Sequence, residues 1–168
     1  MSANSFQRLS IYCLSMMMLF CGVATANAAD SLSAKAAREL VQPFYDFLSG
    51  KVSADQGFAN IAPHWRSFGS NEGSRGVEET TKSISALRNN NVSDLTWDIV
   101  EVISAGEHII VRGEARGTPA KAFFGVPHGG KSFKIMSIDI HKVAAGKVET
   151  TWHVENWADA MRQLAAAD

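Results

Sequence analysis

The sequence predicts an α+β domain in which helices come first and an antiparallel sheet follows. Apolar residues recur with a helical period up to about Asp94 and with a period of two from there to Asn156. The last two period-two stretches, 132–143 and 147–155, flank Ala144, Ala145 and Gly146, a compact connection that suits a hairpin and not a helical crossover. At 168 residues the chain has the length of one domain.

Helix one is predicted over 33–49, where Ala37, Val41, Phe44 and Leu48 line one face; Pro43 predicts a kink or a later start. Residues 53–62 read as a short second helix with Phe58 and Ile61 inward, ended by Pro63. A polar, glycine-rich loop spans 69–76. Helix three runs over 77–88, with Glu78 and Glu79 favoured by the helix dipole in its first turn and Ile84 and Leu87 on its apolar side. Strands follow over 95–103, with Trp97 and Ile99 on one face and Val100 and Val102 on the other, and over 109–116. The terminal hairpin then leads into a closing helix, 157–165, that carries Trp157, Met161 and Leu164. Helices packed to one side of a curved sheet enclose a concavity, where a small molecule would bind.

Composition narrows the function. Hydrophobic residues are 46% and charged residues 20%, values of a folded protein and not of a disordered chain. Sixteen basic against seventeen acidic residues leave a formal charge of -1, so no field draws the chain to nucleic acid, which is excluded as a partner. Arg8 is the only charged residue before Asp30, and it precedes an apolar run, Leu9 to Phe20, and an Ala-x-Ala site ending at Ala28. That pattern predicts a signal peptide over 1–28 and a domain over 29–168, exported to the periplasm or beyond and free of the membrane once cleaved; the alternative is an uncleaved anchor. Both cysteines, Cys13 and Cys21, lie in the leader, so disulfides, thiolate nucleophiles and cysteine-bound zinc drop out of the mature domain.

Strand pleating sorts the candidate residues, because side chains two apart share a face. Over 132–143 one face carries Phe133, Ile135, Ser137, Asp139 and His141. A carboxylate beside an imidazole provides a general acid or base, or else an ion pair at a strand end. On the next strand His153 and Glu155 share a face with Thr151. Asn156 either lines the pocket or caps the closing helix. Arg112 and Glu114 form a third same-face pair, solvated if outward and a buried pair if inward. Trp65 and Trp97 are candidates for lining the pocket, although large aromatics more often fill cores. The five histidines show no zinc-binding helical spacing, and no P-loop or serine-hydrolase elbow is present, so neither metal nor organic cofactor is expected.

These motifs, taken in order, resemble a known family. Arg75-Gly76-Val77-Glu78-Glu79, Asp94-Leu95-Thr96-Trp97, Val111-Arg112-Gly113-Glu114, Phe124-Gly125-Val126-Pro127, Ile138-Asp139-Ile140-His141 and Trp152-His153-Val154-Glu155-Asn156-Trp157 are similar to the SnoaL-like polyketide cyclases, or ester cyclases, of the NTF2-like superfamily. The resemblance implies a cone of curved antiparallel sheet wrapped by about three helices around an apolar pocket, and a homodimer formed through the sheet. It also implies a cofactor-free intramolecular aldol closure driven by a pocket carboxylate, with a strand histidine, here His141, holding the substrate. The acid of the family falls on Asn156 with Glu155 adjacent, so the chemistry would pass to Asp139, His141 or Glu155. Pro119 also stands where the family usually has His, and His128-Gly129 where it has Pro-Thr. Arg112-x-Glu114 is similar in turn to part of the limonene epoxide hydrolase site.

Two functions follow. One is a cyclase-type enzyme acting on a small apolar carbonyl compound, with Asp139, His141 and Glu155 catalytic and Arg112, Glu114, His153, Asn156, Trp65 and Trp97 binding. The other is an exported protein that uses the same pocket for binding alone.

Overall fold

The computed structural model describes residues 31–127 and 129–166. The expected leader over 1–28 and His128 lie outside the described residues. In chain order the elements are α1 (Ala34–Leu48), α2 (Ala54–Gly57), β1 (Ile61–Phe68), α3 (Val77–Asn90), β2 (Thr96–Ala105), β3 (His108–Gly117), β4 (Phe133–Ala144), β5 (Lys147–Glu155) and α4 (Trp157–Ala165). The five strands form one curved sheet in the order β1-β5-β4-β3-β2. β2 to β5 are antiparallel neighbours, and β1 joins β5 in parallel at the edge. The architecture is the expected α+β one.

α1 starts where Ser33 accepts a hydrogen bond from the Ala36 amide, and it runs through Pro43 without a break. Proline removes one internal hydrogen bond. Burial of Val41 before it, and of Phe44, Tyr45 and Leu48 after it, holds the helix across that gap.

The second helix is shorter than expected. Ser53 and Gln56 form a capping box, but α2 ends at Gly57, and Ile61 to Phe68 pair with β5 as a strand. Pro63 lies in this edge strand, within an irregular stretch of pairing between Ile61 and Arg66, where a missing amide donor is tolerated. Trp65 is thereby turned into the core, against Phe44 and Phe58.

The sheet divides its residues as the pleat requires, with one exception. A bulge at Val100 shifts the β2 register between Ile99 and Glu101. Val102 therefore packs toward the core with Trp97 and Ile99, while Val100 and Ile103 are exposed, so Val100 and Val102 do not share a face.

On the outer face Arg112 binds Glu101 at 3.0 Å, and Glu114 lies between Arg116 at 2.8 Å and Lys134 at 2.9 Å. Neither Arg112 nor Glu114 reaches the interior. Their strand turns Val111, Gly113 and Ala115 inward instead, so they are solvent-facing ion pairs and not binding residues. The epoxide hydrolase pattern loses its site with them. The same outer face carries exposed Met136, Ile140, Trp152 and Val154.

Gly113 is small because of a crossing side chain. Trp97 of β2 passes over β3 and donates from its indole nitrogen to Ser137 Oγ of β4 at 2.9 Å. A Cβ on Gly113 would stand 2.5 Å from that oxygen and 3.3 Å from the indole nitrogen. Gly113→Ala should therefore destabilise the fold by about 1–3 kcal/mol, the usual range for overpacking. Urea unfolding measures this, and an unchanged midpoint would show that Trp97 and Ser137 have room to shift.

Candidate functional site

The concave side of the sheet, α1, α3 and the loops at 69–75 and 123–124 surround a cavity of about 860 Å³. Phe44 and Leu48 of α1, Ile84 and Leu87 of α3, Trp97, Phe123 and Trp157 give it an apolar wall. Ser67, Asp139, Thr151, His153 and Glu155 supply a polar end. α3 has no fully buried residue. Its inner face meets the cavity and not another helix, which is why its apolar stripe is only half covered.

Inward alternation along β4 and β5 brings the polar groups together. Asp139 and His153 are direct cross-strand partners, and Glu155 follows His153 on the same face. Asp139 is 4% exposed. Burial raises its pKa to about 7, helped by the negative charge of Glu155 and opposed by His153, Tyr45 and Ser137. This carboxyl therefore exchanges its proton near neutrality.

His153 Nδ1 lies 2.6 Å from Glu155 Oε1. Burial disfavours the imidazolium, but the hydrogen bond and charge of Glu155 and the charge of Asp139 outweigh it, and the net shift is upward. The ring's other edge lies over Gly69, where a Cβ would come within 3.1 Å of Cε1 and 3.2 Å of Nε2. Glycine leaves that edge uncovered. Arg75 also lines this end and opposes the charge on His153.

His141 occupies a different position from the expected one. It is 1% exposed and absent from the cavity wall, with Nε2 3.0 Å from Tyr45 Oη and Nδ1 2.9 Å from Thr151 Oγ1. Burial, and then the charge of His153, lower it to about 3, so it is neutral. With both nitrogens occupied behind the wall, it supports its neighbours and cannot meet a substrate. Asp139 and His141 share a strand face without pairing.

Two binding candidates are also corrected. Asn156 caps α4, its side chain accepting from the Asp159 amide, and does not line the cavity. Trp65 is a core residue whose indole donates to Thr151 Oγ1 at 2.9 Å. Trp97 lines the cavity.

Tyr45 was not among the sequence candidates. It stands four residues after Val41 and three before Leu48, so a hydroxyl-bearing aromatic beside the apolar stripe was a readable signal. Among the described residues no three His, Asp or Glu side chains stand together in reach of one metal ion.

A curved sheet with helices around a cavity that has a polar end gives the chain the NTF2-like fold. The SnoaL-like polyketide cyclase model matches residues 39–164, and the chain belongs to that family. Comparison with curated protein sequences gives no match.

Among solved structures, TsrD from Streptomyces laurentii superposes with a TM-score of 0.68 at 20% identity, over 81% of this chain and 99% of TsrD. A SnoaL-like polyketide cyclase from Agrobacterium tumefaciens gives 0.63 at 16% identity, over 76% and 97%. An NTF2-like protein of unknown function from Burkholderia pseudomallei gives 0.60 at 18%, over 80% and 100%. At such identities the likeness is one of fold.

The buried titrating groups set a pH profile for stability. Asp139, raised from 3.8 to about 7, contributes stability that is complete below pH 3.8 and lost as pH rises through 7. His153, raised from 6.5, acts in the same sense above 6.5. His141, lowered from 6.5 to about 3, contributes above 6.5 and loses its contribution as pH falls toward 3. Asp139 and His141 thus oppose one another between pH 3.8 and 6.5, and the urea midpoint should vary little there and fall above 6.5, where Asp139, up to about 7, and His153 both lose stability. Asp139→Asn should leave the His141 effect unopposed, giving a midpoint that climbs across that window, with a smaller alkaline fall. A variant profile parallel to the wild type would contradict this assignment.

Proposed function

We propose that this protein catalyses a cofactor-free, aldol-type ring closure on a small apolar carbonyl compound, with Asp139 as the general acid and base. The observation that carries this is a buried carboxyl titrating near neutrality at the polar end of an apolar cavity, directly across the strand from an imidazolium. The ionised Asp139 removes a proton from carbon next to a carbonyl. The electron pair moves onto the carbonyl oxygen, where His153, held by Glu155, stabilises the developing charge. The enolate carbon then attacks a second carbonyl of the same molecule, and Asp139 returns its proton to the new alkoxide. Phe44, Trp97, Phe123 and Trp157 provide apolar surface for the rest of the substrate. Family membership supports the reading.

The second reading is binding without turnover. Asn156, where the family resemblance places an acid, caps a helix, which leaves the site one carboxyl fewer than a direct carry-over would give.

We infer in addition that the chain is exported, from the basic, apolar and Ala-x-Ala pattern of residues 1–28, and that it pairs as a homodimer. The apolar row of Val100, Met136, Ile140, Trp152 and Val154 on the outer sheet face supports the pairing.

The test is turnover of a panel of diketones and polyketide-like esters. Asp139→Asn should lower kcat by about 10²- to 10⁴-fold, the range for loss of a general acid-base group, and Glu155→Gln should reduce it by weakening the hold on His153. Arg112→Ala, on the outer face, should leave it unchanged. Tight binding by native mass spectrometry with no conversion of any compound would favour the binding protein, and full activity in Asp139→Asn would reject the assignment.

A further inference from the structure

A guanidinium carries a permanent charge and several donors in a planar fork, and the arginines of this protein direct them to the protein itself, with one exception. Arg38, Arg66 and Arg88 donate to backbone carbonyls. Arg112, Arg116 and Arg162 bind carboxylates. Arg75 differs. Its backbone is bonded to Ser67 in both directions at 2.9 Å, but among the described residues its guanidinium has neither a hydrogen bond nor an ion pair.

That exception lines the cavity. Arg75 stands on its rim shortly before α3, and from Ser67 to Ser83 every residue that lines the wall is polar or glycine. The rim is held in shape by its own bonds. Arg66 Nε donates to Ser74 Oγ at 2.9 Å and its Nη2 to the Ser74 carbonyl at 3.2 Å, while the Ser70 hydroxyl closes a turn with the backbone of Glu72. These bonds fix the backbone that presents Arg75 and leave its side chain unengaged.

We propose that Arg75 is a specificity-determining residue of this cavity: its guanidinium holds a carboxylate on the substrate, whose apolar body lies against Phe44, Trp97 and Trp157. The planar fork suits both oxygens of a carboxylate. The other charged groups of the wall do not take that place. Glu155 is engaged with His153 at 2.6 Å, Asp139 is buried at the far strand, and Glu72, on the same rim, makes no ion pair with Arg75. The charge of Arg75 also acts unfavourably on the His153 imidazolium, a repulsion that a bound anion relieves. The inference rests on the reading of this cavity as the substrate site and adds the chemical class of what enters it, a carbonyl compound that carries an acid group.

The experiment is isothermal titration of the full-length protein at neutral pH with para-acetylbenzoate and with its methyl ester, which share ring and ketone and differ by one charge. Wild-type protein should bind the acid. Arg75→Gln should lower the ratio of acid to ester affinity by about tenfold, the effect of one charge-assisted hydrogen bond, and Arg75→Lys should retain part of it. Arg75→Glu should reverse the preference, so that para-acetylbenzylamine binds more tightly than the acid. The urea midpoint should be the same in Arg75→Gln as in the wild type, because the side chain has no partner to lose.

An unchanged ratio in Arg75→Gln, or failure of the wild type to bind the acid, would overturn the proposal. A ratio that falls as stated in a protein that converts none of the carbonyl compounds would uphold the role of Arg75 and reject the cyclase reading. Turnover of neutral diketones, with the acid and ester bound alike in wild type and Arg75→Gln, would reject the proposal and leave the cyclase reading standing.

Discussion

Much of this molecule depends on one constraint: β4 turns Ser137, Asp139 and His141 into an otherwise apolar interior, and buried polar groups must find partners or forfeit stability. The partners come from every side of the concavity. Tyr45 arrives from α1, Thr151 and His153 from β5, and the indole of Trp97 from β2, while Trp65 of β1 donates to Thr151 in turn. Satisfying that polar row ties α1 and β1 to the centre of the sheet, so the network that shapes the site also holds the fold together.

The same row explains how residues of similar type acquire different roles. His141 and His153 both point inward from neighbouring strands. His141 is sealed behind Tyr45 and Thr151 without a carboxylate partner, and desolvation keeps it neutral. His153 lies at the cavity with Glu155 at 2.6 Å, and the carboxylate overcomes the effect of burial. Asp139 stands between them, close enough to the Glu155 charge and deep enough to hold a proton near neutrality. Protonation at the site is thus set by depth and neighbours, not by residue type.

α3 contributes differently. With no fully buried residue it does little for the core, and its Ile84 and Leu87 face cavity space. Trp97 both closes the wall and reaches across Gly113 to Ser137, so one side chain links the apolar lining to the polar end. The outer sheet face separates its salt bridges on Arg112, Glu114 and Arg116 from the apolar row of Met136, Ile140, Trp152 and Val154.

The amino-acid order by itself determined the succession of helices and strands, the hairpin at Ala145 and Gly146, and the same-face sets Ser137, Asp139 and His141 on one strand and Thr151, His153 and Glu155 on the next, because periods of 3.6 and 2 are local properties of the backbone. Local pattern misjudged 53–62, where β5 captures a segment that could have continued as helix, and Val102, where a bulge reverses the alternation. Only the tertiary structure decided which faces of the strands are the inside, whether His141 touches the cavity, and that Tyr45 meets His141 behind the cavity wall. Those facts depend on contacts between residues as distant in the chain as Tyr45 and His141, and on desolvation, which arises once the sheet has closed over its polar row.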